Sequence, residues 1–328
     1  MNIYDISSLA GVSVTTVSRV LNADPNVSVE TQERVNEVIQ KYGYVPKQRV
    51  RNFTRNQLQA IGLLMDDIRN PYMAELAYAI NQELTKWKVS TILCDMVDVQ
   101  REFINQVDNL ISKRVNGIIL MSSIFDNDVC RVAIERRYSG FPFISINARF
   151  ELPNVYQIMQ DQEQGTRDAV RHLYQTGKRA LGMIYYHQTA SDRRKKQGFL
   201  AGMKDCGLAP ERMLEVSQKT LAEGQKMTRA FMEAFPDADG IVYSADILAV
   251  GGVHYFNQAG LQIPQEIAVV GFNNSRSAQE CYPPMTSVDN QLFLTGTTAA
   301  QMMLSVLNHQ PVEDTPISCG LAIRESTV

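Results

Sequence analysis

The stretch from residue 3 to residue 22, IYDISSLAGVSVTTVSRVLN, constrains this chain more than any other. Ile3, Ile6, Leu9 and Ala10 fall on one face at helical spacing, with Asn2 placed to cap the helix they define. Gly11 breaks the pattern and Ser13 supplies a new N-cap. In the second helix Val17, Val20 and Leu21 point back toward the first, which leaves Thr15, Thr16, Ser18 and Arg19 on the outer side. The result is a helix-turn-helix whose second helix presents hydroxyls, methyls and one guanidinium. A major groove accepts such a surface, because Arg pairs with guanine and Thr can bond a base edge or touch a thymine methyl. A helical face meant only for solvent would carry more than one charge.

A third helix completes the head. Ser28 is its N-cap, Val35, Val38, Ile39 and Tyr42 lie at i, i+3, i+4 and i+7, and Gly43 closes it. Val45-Pro46 ends regular helix. The segment Lys47-Gln48-Arg49-Val50-Arg51-Asn52-Phe53-Thr54-Arg55 then carries four cations and no acid. It is too short to hold a helix by itself, so it is a linker or a helix that forms on docking. Charge follows this division. Residues 1–58 hold seven Lys or Arg against five Asp or Glu, whereas the rest holds 25 against 30, for a formal net charge of −3. A mildly basic head on an acidic body suits a protein that grips phosphate at one end.

From Ala60 onward short apolar runs alternate with amphipathic helices. The runs are Ala60–Met65, Ser90–Asp95, Gly117–Met121 and Phe143–Ile146, separated by helices near Pro71–Lys88, Val99–Arg114 and Asp126–Tyr138. After about Val155 the pattern restarts, with strands at Ala180–Tyr185, Gly240–Tyr243 and Ile267–Phe272 and helices near Glu163–Thr176, Arg194–Cys206, Leu221–Phe235 and Ile247–Ala259. Buried strands alternating with helices form parallel sheets covered on both faces. Two such lobes put a ligand at the carboxyl ends of the strands, between the lobes.

With the head, these residues carry a resemblance to the LacI/GalR family of transcriptional regulators over the whole chain. The matching residues are Tyr4-Asp5-Ile6, Ala10-Gly11-Val12-Ser13, Thr16-Val17-Ser18-Arg19-Val20-Leu21-Asn22, Val27-Ser28, Thr31, Val35 and Tyr42-Gly43-Tyr44-Val45-Pro46. Downstream come Ile61-Gly62-Leu63, Asn70-Pro71-Tyr72, Arg114-Val115-Asn116-Gly117-Ile118-Ile119, Asp246–Gly251 and Ala268-Val269-Val270-Gly271-Phe272. The resemblance implies an α/β chain: a three-helix helix-turn-helix DNA-binding head joined to a two-lobed, doubly wound core like that of periplasmic binding proteins. The expected boundaries are 1–46 for the head, 47–59 for the hinge and 60–328 for an effector-binding and dimerisation core. Within the core one lobe takes about 60–158 and 290–316, the other about 159–287 and 318–328. The chain then crosses between lobes near Met159-Gln160, Ser287–Gln291 and Thr315–Cys319.

By the same resemblance Val14, Thr15 and Arg19 are the base-reading positions, and Tyr4, Ser13, Thr16, Ser18 and Asn22 touch phosphates or bases. The family's hinge pattern Ala-Arg-x-Leu reads Val50-Arg51-Asn52-Phe53 here, so Arg51 and Phe53 are the minor-groove residues and Phe53 is the wedge. The competing role for Phe53 is a core residue of the effector domain. In the cleft Asn147 matches the polar residue after the fourth strand, and Asp246 is retained. Lys195 stands where an Arg is common, with Arg194 beside it. Asn273 replaces an acid, and Lys219 stands where many members have an aromatic. Asp66 and Tyr72 complete the first-lobe side. Losing an acid and an aromatic while gaining a Lys favours a ligand with negative charge, such as a phosphorylated or acidic sugar, unless Lys195 and Lys219 are solvated surface residues.

Other chemistry finds no motif. Gly-x-Ser-x-Gly, Walker, dinucleotide and His-Glu-x-x-His signatures are absent, and His172, His187, His254 and His309 lack metal-ligand spacing. Neither a catalytic residue, a metal nor a cofactor is expected. Cys94, Cys130, Cys206, Cys281 and Cys319 are scattered and read as reduced thiols of a cytoplasmic protein without signal peptide or membrane span. The expected function is a repressor that binds a near-palindromic double-stranded operator as a homodimer, with affinity set by a small carbohydrate or sugar derivative in the cleft. No leucine-rich tetramerising tail follows the last strand. An activator or dual regulator, or a global carbon regulator with a phosphoprotein co-effector, is the alternative.

Overall fold

A computed structural model of the protein describes residues 3–21, 27–42 and 60–328. The chain divides into two compact units, residues 1–52 with 132–141, and residues 53–131 with 142–328. The head contributes α1 (Ile3–Ala10), α2 (Val14–Leu21) and α3 (Val29–Tyr42). Gly11 takes a φ of 63°, a left-handed value that glycine reaches without steric cost, and this turns α1 into α2. The turn is held by Ser7, whose hydroxyl donates to the Val12 carbonyl at 2.7 Å. Ser13 Oγ accepts the Thr16 N–H at 3.0 Å and Ser28 Oγ accepts that of Thr31 at 3.4 Å, so both of these expected caps are in place.

Ile6, Ala10, Val17 and Val35 form the head's core, with Val12, Val20 and Val38 packed around them. Leu9 departs from the expected apolar face, being 50% exposed. Two helices packed on an eight-residue partner cover a single ridge, here Ile6 and Ala10, and Leu9 falls on its flank. The Asn2 cap, the Gly43 stop, Val45-Pro46 and the hinge 47–59 lie outside the described residues, as do the side chains of Ile3, Leu21, Ile39 and Tyr42.

The rest of the chain runs β1 (Ala60–Met65), α4 (Pro71–Thr85), β2 (Ser90–Asp95), α5 (Val99–Ser112), β3 (Gly117–Leu120), α6 (Asp128–Arg137), β4 (Phe143–Ile146) and β5 (Val155–Gln160). It continues through α7 (Gln162–Gln175), β6 (Leu181–Tyr185), α8 (Ala190–Asp205), β7 (Met213–Glu215), α9 (Leu221–Ala234), β8 (Gly240–Tyr243), α10 (Asp246–Ala259), β9 (Ala268–Phe272), α11 (Arg276–Glu280) and β10 (Thr286–Asp289). The last elements are α12 (Leu292–Leu307), β11 (Thr315–Ile317) and β12 (Gly320–Ala322). Two six-stranded sheets result, ordered β11-β5-β4-β3-β1-β2 and β12-β10-β9-β8-β6-β7.

Every pairing is parallel except β10 with β12, which runs antiparallel because the final strand re-enters the second sheet directly from the first. The chain passes between lobes after Gln160, after Asp289 and after Ile317. β1, β3 and β4 are buried throughout, as strands covered on both faces must be. β2, at the sheet edge, is half-exposed, and that is why its composition is less apolar. α4 and α12 pack over the first sheet through Leu76, Ile80, Leu84, Ala299 and Met303.

Some boundaries differ from the sequence reading. α8 begins at Ala190, one turn before Arg194, because Thr189 caps it by accepting the Asp192 N–H at 3.2 Å. α6 begins at Asp128, after a 3₁₀ turn at Ser123–Phe125 capped by Ser122. Val155–Gln160, where the pattern was expected to restart, is a strand of the first sheet. No helix among the described residues is long and apolar enough to cross a membrane.

Candidate functional site

In the head, Ser13 and Arg19 are exposed while Val14 and Thr16 are half-buried. The Ser13 and Thr16 hydroxyls lie 2.8 Å apart, so these groups build the α2 cap as well as offering oxygens outward. Of the other positions assigned to DNA, the side chains of Tyr4, Thr15 and Ser18 and the whole of Asn22, Arg51 and Phe53 lie outside the described residues.

The core carries a cavity of about 40 Å³ where the carboxyl ends of the two sheets face each other. Each loop contributes in turn. Asp66 follows β1, and Asn70 caps α4 through the Tyr72 N–H at 3.1 Å, with Pro71 at the first helical position. Ser122 and Ser123 follow β3, and Asn147 follows β4. Gln162 opens α7, and Thr189, Ser191 and Lys195 come from the start of α8. Lys219 follows β7, Ala245 follows β8 and Asn273 follows β9. Strand ends of a parallel sheet are where loops are free to vary while the scaffold holds them.

Among the described residues, hydrogen bonds between loops and helix starts close the lobes on each other. Ser191 N–H donates to Ser123 Oγ at 3.2 Å, Arg276 N–H to Glu75 Oε1 at 2.7 Å, and Arg194 Nη2 to the Asn147 carbonyl at 2.9 Å. A cavity of this size has room for a few waters. A sugar must part the lobes to enter.

The electrostatics centre on Asp192, which is fully buried. Its Oδ2 accepts from Lys219 Nζ at 3.0 Å and from Thr189 Oγ1 at 2.5 Å, and its Oδ1 lies 4.0 Å from Lys195 Nζ. Burial pushes this carboxyl upward, but Lys219, Lys195 and Thr189 together outweigh it and hold it below the usual range. Lys195 is itself buried. It donates to the Ser244 carbonyl at 2.9 Å and sits 4.1 Å from the centre of the Phe272 ring. Desolvation pushes its ammonium down to about 8 despite the attraction of Asp192. Lys219 lies 4.6 Å from the Tyr186 ring centre, so an aromatic does flank this position, beneath the lysine.

Across the cavity, burial raises the Asp66 carboxyl, opposed by Lys219. Burial, reinforced by the nearby Asp66, raises the Tyr72 phenol. Among the described residues, neither Asp66 Oδ1 nor Asp192 Oδ1 has a hydrogen-bond partner. Of the two, Asp66 is on the cavity wall, where it offers an open acceptor in a lining that also holds the Lys195 and Lys219 ammonium groups, an arrangement that suits hydroxyls, which donate to one and accept from the other.

Six of the eight residues named from sequence line this cavity: Asp66, Tyr72, Asn147, Lys195, Lys219 and Asn273. Arg194 lies beside it and ties the lobes. Asp246 lies beneath, accepting from Ser287 Oγ at 2.6 Å, Ser275 N–H at 2.7 Å and Ser275 Oγ at 2.8 Å. Burial pushes it up to about 6 against those bonds. Gly271 permits this packing, because a Cβ there would collide with the Asp246 carboxylate. Sequence reasoning missed Ser122, Ser123, Gln162, Thr189, Ser191 and Asp192. For Asp192 a signal existed: it precedes Lys195 by three, one helical turn, once α8 is started at Ala190. Among the described residues no cluster of three His, Cys, Asp or Glu could hold a metal.

Comparison with known proteins places both regions. Residues 2–47 match the bacterial regulatory proteins of the lacI family, and residues 170–327 match the periplasmic binding protein-like domain. An HTH-type transcriptional regulator of Lachnoclostridium phytofermentans is 30% identical over 331 residues, spanning 100% of this chain and 99% of that protein. Among solved structures, the transcriptional regulator CelR in complex with cellobiose superposes with a TM-score of 0.72 at 23% identity, over 99% of each chain. The Lac repressor dimer bound to operator and the anti-inducer ONPF gives 0.74 at 22% identity, over 100% of this chain and 99% of that one. The helix-turn-helix head, the paired six-stranded sheets and the full-length relative agree: this chain belongs to the LacI family of bacterial DNA-binding transcriptional regulators.

Proposed function

We propose that this protein is a cytoplasmic, non-enzymatic repressor that binds a near-palindromic operator as a homodimer and is controlled by a neutral carbohydrate in the interlobe cleft. The observation that carries the effector reading is the charge balance of the cavity. The sequence favoured an anionic sugar because one acid is replaced by Asn273 while lysines stand at 195 and 219, and it did not place a further acid between those lysines. Asp192 is that acid, fully buried between Lys195 and Lys219, and Asp66 faces the cavity from the first lobe. A phosphate entering here meets a compensated cluster and a carboxylate, whereas a polyol meets matched donors and acceptors. Asn147, Lys195, Lys219, Asn273, Asp66 and Tyr72 are the contacts we assign to it, with Arg194 and Asp246 supporting them. For DNA we assign Arg19, Val14 and Thr15 to bases, Tyr4, Ser13, Thr16, Ser18 and Asn22 to the backbone or bases, and Arg51 and Phe53 in the hinge 47–59 to the minor groove.

The lobes must open to admit a sugar, so ligand and closure are coupled, and a ligand that binds the two states unequally shifts operator affinity. Selecting sheared host DNA on the purified protein tests the first half. Enrichment of a near-palindrome is expected; no enrichment with or without a metabolite mixture sinks the operator reading. Titrating neutral sugars and their phosphates against the protein–operator complex tests the second. A response to phosphorylated sugars alone defeats the neutral-ligand assignment.

A further inference from the structure

Two of the residues facing the cavity have unusual backbones. Asn147 has a φ of 64° and Asn273 a φ of 117°, values that asparagine tolerates better than most residues but that persist only where surrounding structure holds them. They belong to opposite lobes. Behind the cavity a chain of buried amides joins them. Asn147 Nδ2 donates to Gln160 Oε1 at 2.7 Å, and the Gln160 N–H returns to Asn147 Oδ1 at 3.1 Å. Gln160 Nε2 then donates to the Asn290 carbonyl at 2.5 Å and to Thr295 Oγ1 at 2.9 Å. Asn290 Nδ2 donates to Asn273 Oδ1 at 3.0 Å, which completes the path. Gln160 and Asn290 are 2% and 0% exposed. They stand at the first and second crossings between lobes, the strands about which any opening must pivot.

We infer that Gln160 and Asn290 are positioning residues, which hold Asn147 and Asn273 in mutual register across the lobe pivot and so set the geometry of the effector site. This rests on the reading of the cleft as that site. A purely structural role fits the chemistry less well. Asn290 Oδ1 is buried without a hydrogen-bond partner, so the amide is turned to serve Asn273 at the expense of its own oxygen. An apolar side chain would fill the space without that cost. Hydrogen bonds in a low-dielectric interior are also stronger than in water, so the bonds that are made fix orientation.

The test uses the full chain with Gln160→Met and Asn290→Leu, both close in volume to the residues replaced, and Thr295→Val, which preserves shape and removes one acceptor from Gln160 Nε2. Backbone amide exchange is followed at Asn147 and Asn273, whose N–H groups bond the Ile158 and Val288 carbonyls at 2.9 Å. In Asn290→Leu we expect severalfold faster exchange at Asn147, which Asn290 does not touch; in Gln160→Met, the same at Asn273. Changes confined to the direct neighbours of each substituted side chain overturn the inference. If Gln160→Met or Asn290→Leu fails to fold, Thr295→Val decides by the same criterion, read at both asparagines. In parallel, D-glucose, cellobiose and glucose 6-phosphate are titrated by calorimetry. Parent binding with weakened binding in the variants, at unchanged melting temperature, supports positioning; unchanged affinity in the variants opposes it. If the parent binds none of the three, the effector reading is what suffers, and the exchange data judge the relay separately.

Discussion

The head and the cleft solve the problem of presenting functional side chains in opposite ways. The head is built from neighbours. Its core of Ile6, Ala10, Val17 and Val35 comes from one short stretch of chain, and the cap at Ser13 and the turn at Gly11 are one and three residues from Val14, where α2 begins. The cleft is built from strangers. Asn147, Gln160, Asn290 and Asn273 form one hydrogen-bonded path, and Asp66, Lys195 and Lys219 line one cavity from separate elements. Helical periodicity reveals the first kind of site, since residues at i, i+3 and i+4 share a face by geometry alone. The second kind depends on which loops two sheets bring together. The comparison teaches that a short local site is fragile in its packing, whereas a long-range site is fragile in its charge balance.

The largest effect expected from that contrast is at Asp192. Removing it by Asp192→Ala leaves Lys195 buried beside an unpartnered cluster, and breaking a buried pair in this way costs about 3–5 kcal/mol. Thermal unfolding of the core should fall sharply while the head retains its helical signal. An unchanged core transition breaks the claim that charge balance is what the cleft depends on. Next is Ile6→Ala. Truncating a fully buried Ile costs about 2–5 kcal/mol, a large share of the stability of so small a core. DNA binding should be lost with the core's melting transition in place, and a core that melts earlier shows that the two regions are not energetically separate.

Arg19→Ala probes recognition at an exposed side chain outside the head's apolar core. Loss of one good base contact is worth about 1–3 kcal/mol, with circular dichroism unchanged. Equal affinity in the variant means that another side chain reads the groove. The smallest effect separates Lys195 from the rest of the cleft. Its folded value of about 8 lies below its ordinary 10.5. The unfolded chain therefore binds more protons between those limits, and stability rises with pH across that window. One proton is worth about 1.4 kcal/mol per pH unit, and Lys195→Met should remove that slope from urea denaturation series taken between pH 8 and pH 10. A slope that survives the substitution assigns the titration to another group.

Particular residues show where sequence reading reached and where it stopped. Lys195 and Lys219 line the cavity together, but their shared partner Asp192 was not legible, because it comes within reach of them only when α8 starts a turn earlier than apolar periodicity suggests. Thr189, the cap that moves that start, is a common residue whose role depends on its backbone. Leu9 looked like core by spacing and is half-exposed, because helix–helix contact covers less of a short helix than periodicity implies. Gln160 and Asn290 fell within the expected lobe crossings, but nothing in the sequence says that their amides link Asn147 to Asn273.

By itself the sequence determined the helix-turn-helix, its Ser13 and Ser28 caps and its turn glycine, and the alternation that makes two doubly wound lobes. These follow from interactions within a few residues or from the hydrophobic period of single elements. Tertiary structure alone decided that β12 turns antiparallel, that Asp192 neutralises the cleft, and that an amide path spans the pivot. Those outcomes depend on distances between groups far apart in the chain, and such distances exist only once both sheets have formed and closed on each other.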